Sequence, residues 1–393
     1  MLKGQNIICI SSTDWDGVWG SRQQIMLRLA KENRVLYVEG QVGPEQLLIR
    51  RRWLWKAKLR RWREGLKKIK GNLWIWSPPL VPPGRYYSLL ANRLGQWLIS
   101  LYLRRLAQDL DFSDPILWIY PPQCGDLIGR FNEKLAIYHC IDEAAGGISG
   151  RKRRVIQQEE GVLLEKADVI FVHSRGLLES KSGFNPNIYL IPSAADIDHF
   201  AKVQEENTPI HPDIKRLQRP VIGQVGNFDA RSDVELITYL ATTHPEWSIA
   251  IVGLVQEERV DVSALKKLQN VHFLGKRHFQ ELPSLIKGMD VCIIPYVVSE
   301  MTIYINPLKL YEYMAAGKPI VSTDLPEVRP FYEVVTIART PEEFAQGIAA
   351  ALANDSPTQV QRRMAIARQH SWDQRVEAMS KIIMQTLSAK GSE

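Results

Sequence analysis

The stretch Ile305-Asn306-Pro307-Leu308-Lys309-Leu310-Tyr311-Glu312-Tyr313-Met314-Ala315-Ala316-Gly317-Lys318-Pro319-Ile320-Val321-Ser322-Thr323 reads as a helix handing over directly to a strand. Pro307 pre-sets the backbone of a first helical turn and lacks an amide hydrogen that such a turn would leave unbonded. Lys309 and Glu312, three residues apart, share a face. Gly317 and Pro319 then stop the helix and open the strand 319–322. A handover of this kind is the repeating unit of a parallel sheet with crossover helices.

Working outward, the same unit recurs in both directions. Residues 221–225, 248–252, 271–274, 291–295 and 333–337 read as strands, and the first of them runs into Gly226-Asn227-Phe228 and a helix from about Ser232. Residues 196–220 form a polar lapse. Before it lie strand candidates at 6–11, 34–39, 73–77, 116–120, 135–140, 169–173 and 188–191, with helical patterns at 22–31 and 91–110. The expected architecture is α/β: two Rossmann-like doubly wound domains, 1–200 and 201–369, facing a cleft. In such sheets ligands bind beyond the carboxyl ends of the strands.

Composition agrees with two buried cores, at 393 residues, 45% hydrophobic and 24% charged. No apolar run reaches the roughly 18 residues of a membrane span. The first ten residues lead straight into a strand pattern without the features of a signal peptide, which places the chain in the cytoplasm. Cys9, Cys124, Cys140 and Cys292 are scattered, without metal or redox spacing, and read as buried free thiols.

The net charge of +7 is concentrated. Residues 50–70 hold eleven Lys and Arg against Glu64 alone, a local +10, so the remainder of the chain is net −3. Within 46–71, Leu48, Trp55, Leu59, Trp62, Leu66 and Ile69 fall along one side of a helix with basic residues opposite. That pattern fits a helix lying on anionic lipid; the alternative is an amphipathic helix packed on its own domain with a solvated basic face. A nucleic-acid-binding reading is disfavoured, because the charge sits in one short stretch while the rest is acidic.

Three further motifs bear on function. Gly223-Gln224-Val225-Gly226-Asn227-Phe228, with Arg231 and Asp233 following, is a strand ending in a glycine turn before a helix, where backbone can approach a phosphate. Asn270-Val271-His272-Phe273-Leu274-Gly275-Lys276-Arg277 is a strand ending in a glycine and a basic pair. At 305–323, the helix opened by Pro307 presents amides and a dipole suited to a diphosphate, and Lys309 adds positive charge.

Together these residues closely resemble the donor-site signature of retaining GT-B glycosyltransferases of the family 4 type, particularly the bacterial cell-surface polysaccharide subgroup with a Pro-x-Lys-x-x-Glu-Tyr core. In the N-terminal half, Ser12-Thr13-Asp14-Trp15-Asp16-Gly17 resembles the acceptor-side loop, and Ile137-Tyr138-His139-Cys140-Ile141-Asp142-Glu143 the strand end that carries an acidic residue into the cleft. Val172-His173-Ser174-Arg175 and Ile191-Pro192-Ser193-Ala194-Ala195-Asp196 look like the segments leading into the linker. His370-Ser371-Trp372 resembles the element with which 370–393 crosses back onto the first domain. Departures from the pattern are Tyr304, eight positions before Glu312, where the family has a first glutamate, with Glu300 twelve before; Ser193-Ala194-Ala195 in place of Asn-Gly-Val; and His139 in place of aspartate.

The resemblance implies transfer of a sugar from a nucleoside diphosphate sugar to a saccharide or lipid-linked saccharide acceptor with retention of configuration, in cell-surface polysaccharide synthesis. Glu312 would accept hydrogen bonds from the ribose. Gly226, Asn227, Gly275, Lys276, Asn306, Pro307, Leu308 and Lys309 would complete the donor site. Asp16, His139, Asp142, Arg231 and Lys309 are the catalytic candidates. No metal and no cofactor besides the donor substrate are expected, and no nucleic acid. The expected location is the inner face of the plasma membrane, with 46–71 on its anionic surface. A sugar-nucleotide 2-epimerase of the same fold is the alternative enzyme reading.

Overall fold

The computed structural model describes residues 1–43 and 52–391. They divide into two compact units, Met1–Pro192 joined by the C-terminal stretch from Arg375, and Ser193–Gln374. Each is built on its own sheet.

The first unit contains β1 (Asn6–Ile10), β2 (Arg34–Val38), β3 (Lys67–Lys70), β4 (Leu73–Trp76), β5 (Ile116–Ile119), β6 (Leu135–Cys140), β7 (Val169–Val172) and β8 (Ile188–Leu190) in the order β3-β4-β2-β1-β5-β6-β7-β8. All neighbours pair in parallel except β3 with β4. Ile7, Ile8, Cys9 and Ile10 are all buried, as are Ile116 to Ile119. Such unbroken apolar runs are what a sheet covered on both faces requires.

The 46–71 segment is not one helix. The described helix is Arg52–Arg63, and Gly65 turns the chain at φ +69° into the antiparallel edge strand β3. Leu66 and Ile69 therefore leave the helical face, while Leu48 lies outside the described residues. Hydrophobic spacing carries across a turn without showing the reversal. The exposed lysines of β3 suit an edge strand, which must resist pairing with another chain.

The basic face is not wholly solvated either. Lys58 is buried and donates to Asp14 Oδ1 at 2.5 Å and Ser77 Oγ at 3.3 Å, with Glu39 Oε2 at 3.9 Å. Arg61 meets Asp14 Oδ2 at 3.0 Å and Glu39 Oε1 at 3.4 Å. Buried Glu39 also accepts from the Trp15 amide at 2.9 Å and Ser77 Oγ at 2.7 Å. The helix thus pins the loop after β1 through ion pairs. Removing one member strands the others, so Glu39→Ala should destabilise the chain by about 3–5 kcal/mol. Denaturant unfolding tests this, and a loss below about 1 kcal/mol would show that the cluster behaves as a surface network.

The second unit contains β9 (Val221–Val225), β10 (Ser248–Val252), β11 (Val271–Gly275), β12 (Val291–Ile294), β13 (Ile320–Thr323) and β14 (Thr336–Ala338), all parallel, in the order β11-β10-β9-β12-β13-β14. The direction of strand addition reverses between β9 and β12, and in the first unit between β1 and β5. Such a reversal opens a crevice at the strands' carboxyl ends. The last strand begins later than the expected 333, because Val334 and Val335 are buried from a turn rather than paired in the sheet.

The division drawn at 200 falls inside the second unit. Phe200, on the short helix Ile197–Ala201, is buried in that unit's core and meets the Phe279 ring at 5.7 Å. Residues 370–374 also stay there: His370 packs on Tyr311 and Phe331, its carbonyl accepts from Ala195 N at 3.0 Å, and Trp372 N donates to Ala195 O at 3.2 Å. Of the helix Trp372–Lys390, the part from Arg375 belongs to the first unit. Among the described residues no helix is long and apolar enough to cross a membrane.

Candidate active site

Three neighbouring strands of the second unit end in glycine. Gly226 after β9 donates to Val252 O at 2.9 Å, and Gly253 after β10 donates to Gly275 O at 2.9 Å. Gly253 adopts φ +149°, and a Cβ there would lie 2.0 Å from Gly226 O, so the two backbones touch only because Gly253 carries no side chain. Gly226, at φ +110°, faces the Lys309 side chain: a Cβ would stand 3.6 Å from Cε and 3.7 Å from Nζ. The sequence singled out Gly226 and Gly275; Gly253 went unnoticed because nothing beside it departs from an ordinary strand end.

Lys309 reaches this crest from the helix Leu308–Ala315, whose N-cap is Pro307 and whose first turn no side chain caps. Lys309 is buried, yet its ammonium has no hydrogen-bond partner among the described residues; it lies over the Tyr296 ring at 4.9 Å. Gln224 Oε1 and Asn227 Oδ1, flanking Gly226, are also buried without partners. Unsatisfied buried polar atoms are uncommon and each costs about 1–3 kcal/mol. The unpartnered ammonium beside the first amides of the helix makes an anion site, and the two amide oxygens are acceptors suited to a ligand's hydroxyl or N–H groups.

The helix is held in place by Tyr313, one turn beyond Lys309, whose hydroxyl accepts from the Val225 amide at 2.7 Å. Glu312 lies on the same helix, buried, and burial pushes its carboxyl up to about 7 despite the opposing pull of Lys309. Asn306 differs from its expected role in the donor site. Its Oδ1 accepts from Ser193 N at 3.2 Å and its Nδ2 donates to Glu327 Oε2 at 3.0 Å, so its side chain fixes the loop leading into the helix.

Arg231 enters from the loop after β9 and is gripped by Asp229, with Nε to Oδ1 at 2.8 Å and the terminal nitrogen to Oδ2 at 2.6 Å. Burial works to raise the Asp229 carboxyl, but the Arg231 hydrogen bonds and charge outweigh it and hold it below its usual value. The guanidinium lies 5.9 Å from the Tyr296 ring, which it shares with Lys309. Its charge is partly answered by Asp229, a residue the sequence reading left out. Gly275 and Lys276 stand exposed at the end of β11, Leu308 is half-buried, and Pro307 is buried.

The three candidates in the first unit are not alike. Asp16 is exposed on the loop after β1, 4.0 Å from Arg61, and Asp142 is exposed two residues past β6. His139 is sealed within the sheet. It is fully buried, Nε2 to Nε2 at 2.9 Å from His173, and surrounded by the rings of Trp118, Tyr120 and Phe171. Burial holds both imidazoles neutral, His139 well below its usual range and His173 at about 3. A group so enclosed touches no substrate, and its part is to pack the strand ends. Glu143, beside Asp142, is bound to Lys181 at 2.9 Å.

Residues 219–354 match the family model described as glycosyl transferases group 1. The fold is GT-B, and residues 219–354 are similar to the group 1 glycosyl transferases. It is 26% identical over 307 residues to the teichuronic acid biosynthesis glycosyltransferase TuaH of Bacillus subtilis (strain 168), covering 72% of this chain and 77% of that one. Among solved structures, sucrose-phosphate synthase of Thermosynechococcus elongatus superposes at a TM-score of 0.70 and 16% identity, covering 98% of this chain and 100% of that one. The UDP-forming α,α-trehalose-phosphate synthase of Burkholderia xenovorans does so at 0.68 and 12%, covering 98% and 100%.

Proposed function

We propose that this glycosyltransferase moves a sugar from a nucleoside diphosphate sugar to a saccharide acceptor carried on lipid, with retention, in the synthesis of a cell-surface polysaccharide. The observation that carries the reading is the buried, unpartnered Lys309 ammonium facing Gly226 at an uncapped helix N-terminus, with buried Glu312 on the same helix. The diphosphate would lie against the amides of Leu308 and Lys309 and the ammonium; Glu312 would accept from the ribose. The UDP-forming name of one structural relative and the teichuronic acid role of TuaH agree with donor and pathway class.

In the reaction the bond between the anomeric carbon and the diphosphate oxygen breaks, with both electrons leaving on the diphosphate. The acceptor oxygen bonds to the same carbon on the same face, and its proton passes to the departing phosphate. Charge builds on the leaving group, where Lys309 and Arg231 stand, so stabilisation there lowers the barrier. Exposed Asp16 and Asp142 are the first unit's candidates for acceptor contacts. Two cationic side chains take the place a divalent metal would fill, which makes transfer metal-independent. The working location is the inner face of the plasma membrane, with the basic 46–71 segment toward anionic lipid.

A panel of uridine, guanosine and adenosine diphosphate sugars tests this by nucleotide release with and without extracted lipid-linked saccharide. One donor should be consumed only with acceptor present, at a rate unchanged by excess EDTA. Isomerisation of a donor without acceptor would support an epimerase, and loss of activity in EDTA restored by magnesium would contradict the leaving-group assignment.

A further inference from the structure

The helix Leu89–Asp109 takes polar side chains inside and leaves an apolar stripe outside. Its buried face carries Asn92, Gln96 and Ser100 among Gly95, Ile99, Leu103 and Ala107. The polar groups are satisfied inside: Asn92 Nδ2 donates to Gln123 O at 2.7 Å, Gln96 Nε2 to Gln41 Oε1 at 2.8 Å, and Ser100 Oγ to Trp97 O at 2.7 Å. The opposite face shows Leu90 (74% exposed), Leu94 (52%), Trp97 (46%) and Leu101 (44%). Their spacing of four, three and four residues sets them in one stripe, about 16 Å long at 1.5 Å per residue. A continuous apolar stripe left outside, while three polar side chains are taken inside, departs from the pattern of a helix that meets water.

Positive charge borders the stripe at both ends. Near Leu90, an open groove lined by Tyr87 and Leu90 is also lined by Arg151 and Arg154, and Lys152 Nζ lies 4.9 Å over the neighbouring Tyr86 ring. Beyond Leu101, Tyr102 meets Trp62 edge to face at 6.4 Å, which brings in the helix Arg52–Arg63 with exposed Arg60 and Arg63. After that helix come the exposed Lys67, Lys68 and Lys70 of β3. Leucine and tryptophan between two cationic borders match the layering of an anionic bilayer surface, with acyl chains beneath and phosphate above.

We infer that the Leu90–Leu94–Trp97–Leu101 stripe is the membrane-inserting face of this protein, with Arg151, Lys152 and Arg154 on one side and the Arg60 to Lys70 segment on the other gripping anionic headgroups. This deepens the proposal of work at a membrane. It also moves the inserting element from the 46–71 segment to a helix whose sequence signalled nothing beyond helicity.

The test is flotation of the full chain with vesicles of phosphatidylglycerol mixed into phosphatidylcholine, against phosphatidylcholine alone. Wild type should bind the anionic vesicles and release in high salt. Leu90→Ser with Leu94→Gln, Trp97→Ser and Leu101→Gln should cut partitioning at least about tenfold. Arg151→Gln with Lys152→Gln and Arg154→Gln should lower it and flatten its salt dependence. The described cysteines are all buried, so Trp97→Cys labelled with an environment-sensitive dye should shift to the blue only on anionic vesicles. Nucleotide release with a soluble acceptor analogue is followed in every variant: the docking face stands or falls on partitioning, the transferase reading on turnover. Undiminished binding of the four-residue variant would overturn the inference. So would a wild-type dimer that this variant dissolves while vesicle binding is unchanged, since a second copy would then cover the stripe.

Discussion

Lys309→Met should lower kcat for transfer by about 10²–10³-fold, the usual loss when one preorganised group is removed from a developing charge. The ammonium is buried and has no hydrogen-bond partner among the described residues, so its removal breaks no hydrogen bond of the fold. Methionine keeps the length and apolar stem of lysine, and replacing an unpartnered buried charge with it should leave the melting temperature unchanged or higher. Activity falling while stability holds is the signature of a group maintained for its ligand. A kcat within about threefold of wild type would place leaving-group stabilisation elsewhere.

Glu312→Ala should abolish measurable transfer by weakening nucleotide binding about a hundredfold or more, since hydrogen bonds to a charged acceptor contribute about 1.5–3 kcal/mol each. Its carboxyl adds a pH signature. Burial lifts it from the ordinary 4.5 to about 7, so the folded chain holds a proton there that the unfolded chain has already lost. Between those values the ligand-free protein loses stability as the pH rises, and above about 7 the loss is complete. Binding to the carboxylate runs the other way: affinity should fall as the pH drops below about 7, by at most about tenfold per unit. The affinity trend should vanish in Glu312→Gln, and the stability trend should weaken to the part left by Glu159, which burial raises to about 8. Nucleotide titration and thermal melts at pH 6, 7 and 8 check this, and a pH-independent affinity in wild type would mean that the ribose does not use the ionised group.

The second unit was legible because its signals are local. Pro307, Gly317 and Pro319 act through their own backbones, and Lys309 and Glu312 are three residues apart on a regular helix. What escaped depends on distant partners. The bond from Val225 to Tyr313 exists only once the strand and the helix are assembled. Asn306 looked available for a ligand until Ser193 and Glu327, 113 residues before it and 21 after, took up its amide. His139 stood at a strand end, as a substrate contact should, but the neighbouring strands carry Tyr120 and His173 over it. In 46–71, periodicity ran through the reversal at Gly65, and charge counting could not tell that Lys58 and Arg61 turn inward to Asp14 and Glu39. The outward apolar stripe of the helix Leu89–Asp109 was hidden for a related reason: its period is visible in sequence, but which face packs is settled by the Gln41 side-chain amide and the Gln123 backbone carbonyl.

The central claim is that a nucleoside diphosphate binds at the crest where Gly226 faces Lys309. Hydrogen–deuterium exchange of the full chain, with and without saturating uridine, guanosine or adenosine diphosphate, tests it most directly. One of the three should slow exchange in the 226–228 and 308–312 backbone, and Lys309→Met should weaken that protection. Protection confined to the loops after β1 and β6 of the first unit, or none with any of the three, would contradict it.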